Sequence, residues 1–249
     1  DLSESRVQSF PSLHACFIRE LKPSARPIDP DPLVLVSPCD AIVGAQGLVD
    51  GTRLYQAKGF PYTLEDLLPT PELVSICRDS TYVTLRIKSS MYHRFHAPAQ
   101  GQLVRAQYFA GDAWNVNPPT LQKVDRLFVK NERACLTYRL GTQEEIAMVP
   151  VAAVLVAGIR VHALVDSGWQ QDGKQTDLID ATPIDKGQEM GWFQHGSTII
   201  VFLPAGFVIS SGVYEGAHLR MGQALAMWPD FKHSTPAEPQ RASQPLAPE

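Results

Sequence analysis

Three observations predict an α+β fold whose body is mainly antiparallel β, barrel- or sandwich-like, behind a short N-terminal helical lead-in. From Leu33 onward the chain is a succession of short β-branched and aromatic runs separated by turn residues. Within that stretch only "TLEDLL" (63–68) and "PTLQKVDRLFVKN" (119–131) have helical spacing, too few crossover helices for a parallel sheet. Finally, 249 residues are enough for one sizeable core.

In chain order, "SLHACFIREL" (12–21) carries Leu13, Cys16, Phe17 and Leu21 at helical spacing behind Ser12, a capping residue. The prolines of "KPSARPIDPDP" then stop the helix, so residues 1–32 form the lead-in. Residues 33–232 form one β-rich domain, with strands predicted at "LVLVS", "TRLYQAK", "TYVTLRIK", "QLVRAQYFA", "ACLTYRL", the 146–165 stretch and "STIIVFLP". The apolar run "IAMVPVAAVLVAGI" (146–159) contains Pro150 and Gly158 and is shorter than the roughly 20 residues that span a bilayer, so it reads as core strand. Residues 233–249, rich in Pro, Ala and Ser, have little to bury and are expected to be a disordered tail.

Composition narrows the function. Twenty-two basic against 26 acidic residues give a net charge of −4, and no basic cluster is interleaved with aromatics, which disfavours a nucleic-acid partner. Cys16, Cys39, Cys77 and Cys135 are scattered singly, a pattern of reduced thiols without a disulfide. The chain starts at Asp1 without a signal-peptide pattern, so a segment upstream of it is expected, together with any membrane anchor it carried.

Three short stretches carry chemistry. In "GWFQHGSTIIVFLP" (191–204), Gly196 and Ser197 stand at the entrance to a buried strand; small residues there are most often turn chemistry. "SSMYHRFHAPAQG" (89–101) holds His93 and His96, and an isolated pair of histidines three apart is too few ligands for a metal site. In "VSPCDAIVGAQG" (36–47), Asp40 follows a strand and by itself reads as a turn aspartate. Asp, His and Ser could also form a nucleophilic triad, although Ser197 lacks the GxSxG elbow of common hydrolases.

The set "FIRELKPSARPID", "VSPCDAIV", "YQAKGFPYTLEDLL", "YHRFHAPAQG", "NVNPPTLQKVDRLFVKNER" and "KGQEMGWFQHGSTIIVFLP", in this order over residues 12–227, closely resembles the phosphatidylserine decarboxylase family of self-cleaving proenzymes. The resemblance implies that the Ser197 hydroxyl attacks the Gly196 carbonyl, with His96 as base and Asp40 orienting it. It also implies that the cut chains 1–196 and 197–249 remain together as a heterodimer, with a homodimer of these as a further assembly. The implied cofactor is a pyruvoyl group made from Ser197, an electrophile for the substrate amine and an electron sink, and His93 is the implied acid of decarboxylation. No metal is implied. Phosphatidylserine is the implied substrate, giving phosphatidylethanolamine and carbon dioxide. The implied location is a membrane surface, the cytoplasmic face of a bacterial inner membrane before a mitochondrial one. Attraction of the first 30 residues to anionic lipid is expected to be modest, since their basic and acidic residues balance.

His195 replaces the leucine common before Gly-Ser-Thr, Met91 an aspartate before the YHR stretch, and Ala41 a glycine after Asp40. His195 is expected to point to solvent, with service as an alternative base as the other reading. Trp114, Trp192 and Phe193 are read as core before acyl-pocket lining. His14, His162, His218 and His233 have no motif around them. The alternatives are the same chemistry on a soluble amino acid, a non-cleaving relative acting as a binding protein, and a serine hydrolase.

Overall fold

The computed structural model describes residues 2–57, 60–68, 70–153, 158–166, 176–178, 181–194 and 196–228. Its first element is α1 (Leu13–Phe17), capped by Ser12, which accepts from the Ala15 N–H. The helix stops short of Leu21 because the chain beyond it is recruited elsewhere: Arg6 N donates to Glu20 O, Lys22 N donates to Glu4 O, and the Arg19 side chain donates to the Cys16 carbonyl. Then follow β1 (Val34–Val36), β2 (Ala41–Leu48), β3 (Arg53–Ala57), β4 (Phe60–Thr63), α2 (Leu64–Leu67), α3 (Pro71–Cys77), β5 (Thr81–Ile87), β6 (Arg94–His96) and β7 (Gly101–Phe109). The second half comprises α4 (Pro118–Leu121), α5 (Leu127–Lys130), β8 (Arg133–Leu140), β9 (Glu145–Ala152), β10 (Ile159–Val161), α6 (His162–Asp166), β11 (Thr176–Leu178) and β12 (Thr182–Ile184). It ends with β13 (Glu189–Phe193), β14 (Ser197–Leu203), β15 (Val208–Ile209), β16 (His218–Leu219) and β17 (Ala224–Met227).

The main sheet runs β11-β7-β8-β9-β14-β5-β2-β16, with β12 also on β7, and its pairs are antiparallel. It stays open, so the body is sandwich-like and not a closed barrel. Side chains on β14 alternate between two cores, as the period of two requires: Ile199, Val201 and Leu203 enter one, Ile200 and Phe202 the other. The first core lies between the main sheet and two small sheets, β10-β13-β6 and β1-β17-β15. The second is roofed by α2, α3 and α5, which contribute Leu64, Leu67, Leu73, Leu127 and Phe128.

Two expectations need correction. The helix read over 119–131 is two short helices, because Arg126 takes the left-handed conformation (φ 48°) and breaks it. The described part of the 146–165 run is β9, β10 and the helix α6, not strand throughout. Within β9, the β8–β9 register passes from Arg133↔Val151 to Leu136↔Met148, skipping the position of Pro150, which has no N–H for a ladder. α3 was not anticipated, although Thr70 followed by Pro71 is a helix-start signal. The expected tail at 233–249 lies outside the described residues, as do His195 and His233.

Candidate active site

Ser197 opens β14 between two neighbours, opposite Ile87 of β5 and Ala152 of β9. Its continuous β-branched sequel draws the strand into the sheet centre, where both faces are covered. The Ser197 side chain is fully buried, and its hydroxyl has no hydrogen-bond partner among the described residues. Such an orphan donor costs about 1–3 kcal/mol in an ordinary fold and calls for a functional account. Upstream, β13 belongs to a different sheet. Phe193 N donates to His93 O and Gln194 N to Gly158 O, each at 2.9 Å. The Gly196–Ser197 bond therefore lies where the chain passes between two anchored sheets. A Cβ at Gly196 would meet no atom of the described residues within 4 Å, so steric room among them is not what requires glycine there.

β6 carries the histidines. His96 is buried; its Nδ1 donates to Gly187 O at 2.9 Å, which leaves Nε2 to accept from the Tyr92 hydroxyl at 3.0 Å. Burial lowers the His96 pKa below 6.5, outweighing the Gly187 carbonyl, Glu189 and Asp40, which favour its cation. Burial raises the Tyr92 pKa, keeping the phenol a donor. His96 is thus a neutral imidazole in a fixed tautomer, the state a base requires. His93 is fully buried: Nδ1 donates to Met91 O at 2.9 Å and the ring lies 3.7 Å, centroid to centroid, from Phe17 of α1. Because position 91 holds His93 through its backbone carbonyl, methionine there leaves that contact in place.

Asp40 stands at the turn into β2. Its carboxylate accepts from Arg26 Nε at 2.7 Å and Nη2 at 2.5 Å, and from Met221 N at 2.9 Å. Arg26 also pairs with Glu4, which in turn pairs with Arg220. The structure joins Asp40 to His96 through the backbone, His96 N donating to Pro38 O at 2.8 Å, and through the carboxylate's field. Hydrogen bonds to the His96 ring come from Gly187 and Tyr92. Of the aromatics, Phe193 is core beside Phe95, Trp192 lies under Arg94, and Trp114 is 46% exposed. His162 pairs with Glu189 at 3.0 Å. The four cysteines are free thiols, and the described residues hold no group of three or more His, Cys, Asp or Glu suited to a metal.

The family model described as phosphatidylserine decarboxylase matches residues 13–227. The chain belongs to the phosphatidylserine decarboxylase family. Three relatives bear the name phosphatidylserine decarboxylase proenzyme. That of Halorhodospira halophila is 37% identical over 235 residues, covering 90% of this chain and 78% of its own. Those of Sodalis glossinidius and Brevibacillus brevis are 34% and 35% identical over 244 and 227 residues, covering 91% and 90% of this chain and 80% and 81% of theirs. Within this phosphatidylserine decarboxylase fold, sequence reasoning missed Tyr92, Gly187, Arg26 and Phe17. All four lie inside the quoted motifs, but nothing in a motif states which atom touches which. Gly187 acts through a carbonyl, which any residue could supply.

Proposed function

We propose that this chain is a phosphatidylserine decarboxylase that matures by cutting itself between Gly196 and Ser197 and acts at a membrane surface. The observation that carries the reading is the buried Ser197 hydroxyl at the sheet junction, without a hydrogen-bond partner among the described residues. Nucleophile and carbonyl belong to adjacent residues, so proximity replaces a bimolecular encounter. In the proposed maturation His96 Nε2 takes the Ser197 proton, Oγ bonds to the Gly196 carbonyl carbon and the C–N bond breaks, giving an ester and a free amine on residue 197. Loss of the residue-197 Cα proton expels the Gly196 carboxylate and leaves dehydroalanine; its tautomer takes up water and releases ammonia, leaving a ketone.

The site fits that group: residue 197 is held on both sides by backbone pairing, within a water-excluding core. A pyruvoyl ketone there supplies an electrophile for the substrate amine and a sink for the electrons released with carbon dioxide. His93, its Nδ1 proton fixed on Met91 O, exchanges a proton at Nε2 during decarboxylation. Asp40, paired with Arg26 and Met221, holds chain 1–196 to chain 197–249 in the heterodimer. No described helix is long and apolar enough to cross a membrane, and docking is proposed as peripheral.

Intact-mass measurement of purified protein, followed by carbon dioxide release from phosphatidylserine vesicles and from free amino acids, tests this. Two fragments, one with a carbonyl-reactive terminus, and turnover of the lipid are expected. An uncut chain under maturing conditions overturns self-cleavage; turnover confined to a soluble amino acid overturns the lipid assignment.

A further inference from the structure

A cavity of about 470 Å³ opens on the face of the main sheet opposite the Ser197 hydroxyl, between β2, β5 and β14 on one side and α4 and α5 on the other. Much of its wall is apolar, with Ile42, Val43, Leu121 and Phe128 contributing. Arg86 also lines it. Among the described residues this half-buried guanidinium has no ion pair or hydrogen bond, and burial lowers its pKa with no anion opposing the shift. Thr84 and Thr198 line the same space, 2% and 1% exposed, and their hydroxyls are buried without a hydrogen-bond partner among the described residues. Glu215 stands at the rim, exposed.

A partly desolvated cation and two orphan hydroxyls, in a wall that combines apolar residues with Gln46, Tyr55, Tyr82 and Gln122, are complementary to a small anion attached to an apolar body. The cluster is also placed beside the reactive position. Arg86 is directly opposite Thr198, the residue after Ser197, and Ile87 is opposite Ser197 itself. Cβ atoms of such opposite pairs are about 5 Å apart. Since Ser197 is the first residue of β14, the Thr198 face of the strand begins one residue from the reactive position.

We infer that this cavity is a subsite for the phosphodiester of the substrate headgroup, Arg86 pairing with its oxygens and Thr84 and Thr198 donating to them. The inference rests on the proposed function and specifies how it selects a phospholipid over a free amino acid. A cation spent on the carboxylate would stabilise a charge that vanishes as carbon dioxide leaves, raising the barrier; the phosphodiester keeps its charge throughout.

The test uses full-length Ser197→Ala protein, so that binding is read without turnover, titrated calorimetrically with glycerophosphoserine, serine and inorganic phosphate. Glycerophosphoserine is expected to bind and to lose about tenfold or more in affinity in the added Arg86→Gln variant, with Arg86→Lys between the two. Serine is expected to show no dependence on Arg86. In the matured enzyme Arg86→Gln is expected to cleave fully and raise KM for phosphatidylserine vesicles more than it lowers kcat. Unchanged glycerophosphoserine affinity in Arg86→Gln overturns the subsite, as does inorganic phosphate binding as tightly as glycerophosphoserine, which assigns the cavity to free phosphate. If Arg86→Gln unfolds early, Arg86→Lys decides: binding equal to that of serine overturns the proposal. Binding that depends on Arg86 in a protein unable to decarboxylate phosphatidylserine defeats the activity and leaves the subsite standing.

Discussion

Removing the Ser197 hydroxyl should stabilise the uncut chain. The oxygen is sealed from water at a position 0% exposed, between Ile87 and Ala152, with no hydrogen-bond partner among the described residues. The desolvation penalty of such a group is about 1–3 kcal/mol. Deleting it leaves a void smaller than a methyl group, costing under about 1 kcal/mol in lost contacts. The net expectation is a gain near 1 kcal/mol, or about 2–4 °C in Tm for a domain of this size. Since wild type is proposed to cut itself, the comparison must be made between two uncut chains: His96→Ala, and His96→Ala with Ser197→Ala. Intact mass certifies both, and thermal or urea unfolding compares them. A Tm lowered by 2 °C or more in the double variant would refute the reasoning, because it would mean that the hydroxyl makes a stabilising hydrogen bond.

His96 gives a pH signature. Its folded pKa lies below 6.5, so the unfolded chain binds more protons as pH falls through 6.5, and stability drops between there and the folded value. Cleavage of freshly made precursor should accordingly hold its rate from pH 8 down to 6.5 and fall only below; a midpoint at or above 6.5 contradicts the assignment. Tyr92→Phe removes the donor that occupies Nε2 at 3.0 Å and should speed cleavage by up to about fivefold, the equivalent of one hydrogen bond; quench-flow or pulse-chase measurement showing a tenfold slowing would make Tyr92 a relay instead. Arg26→Met strands the Asp40 carboxylate, in a pair whose side chains are only 7% and 11% exposed, and should cost about 3–5 kcal/mol by urea unfolding. Phe17→Ala takes the ring from the face of His93 and should leave cleavage complete while lowering kcat about tenfold or more; equal loss in both reactions would point to a general folding defect.

β14 was legible because "TIIVFL" after Ser197 is an apolar, largely β-branched run with no turn residue, and burial on both faces needs such a run. β2 was not. Its sequence "AIVGAQGL" includes two glycines, and its extended form comes from pairing with β5 and β16, information that lies elsewhere in the chain. The candidate side chains could be named from the sequence, yet the atoms that contact them were hidden. Gly187 O, Met91 O and Pro38 O are backbone carbonyls, identical in every residue, and become visible only when the chain is folded. Likewise the lead-in is more than a tether. Phe17 stacks on His93 and Ile18 O receives Arg94, contacts 76 residues apart that helical spacing alone does not reveal.

The junction also explains how a cut can be harmless to the fold. Upstream of it, β13 is paired with β6 and β10; downstream, β14 registers at seven positions with β5 and six with β9. Farther on, β17 pairs with β1 and β16 with β2, so a chain beginning at residue 197 would be threaded through sheets built largely from the residues before it. Extracting Ile199 to Leu203 alone would expose five essentially fully buried side chains, at a cost on the order of 10 kcal/mol. Against that, severing one peptide bond releases only local freedom at two chain ends. A cut between residues 196 and 197 would therefore leave in place the β5 and β9 partners that hold residue 197.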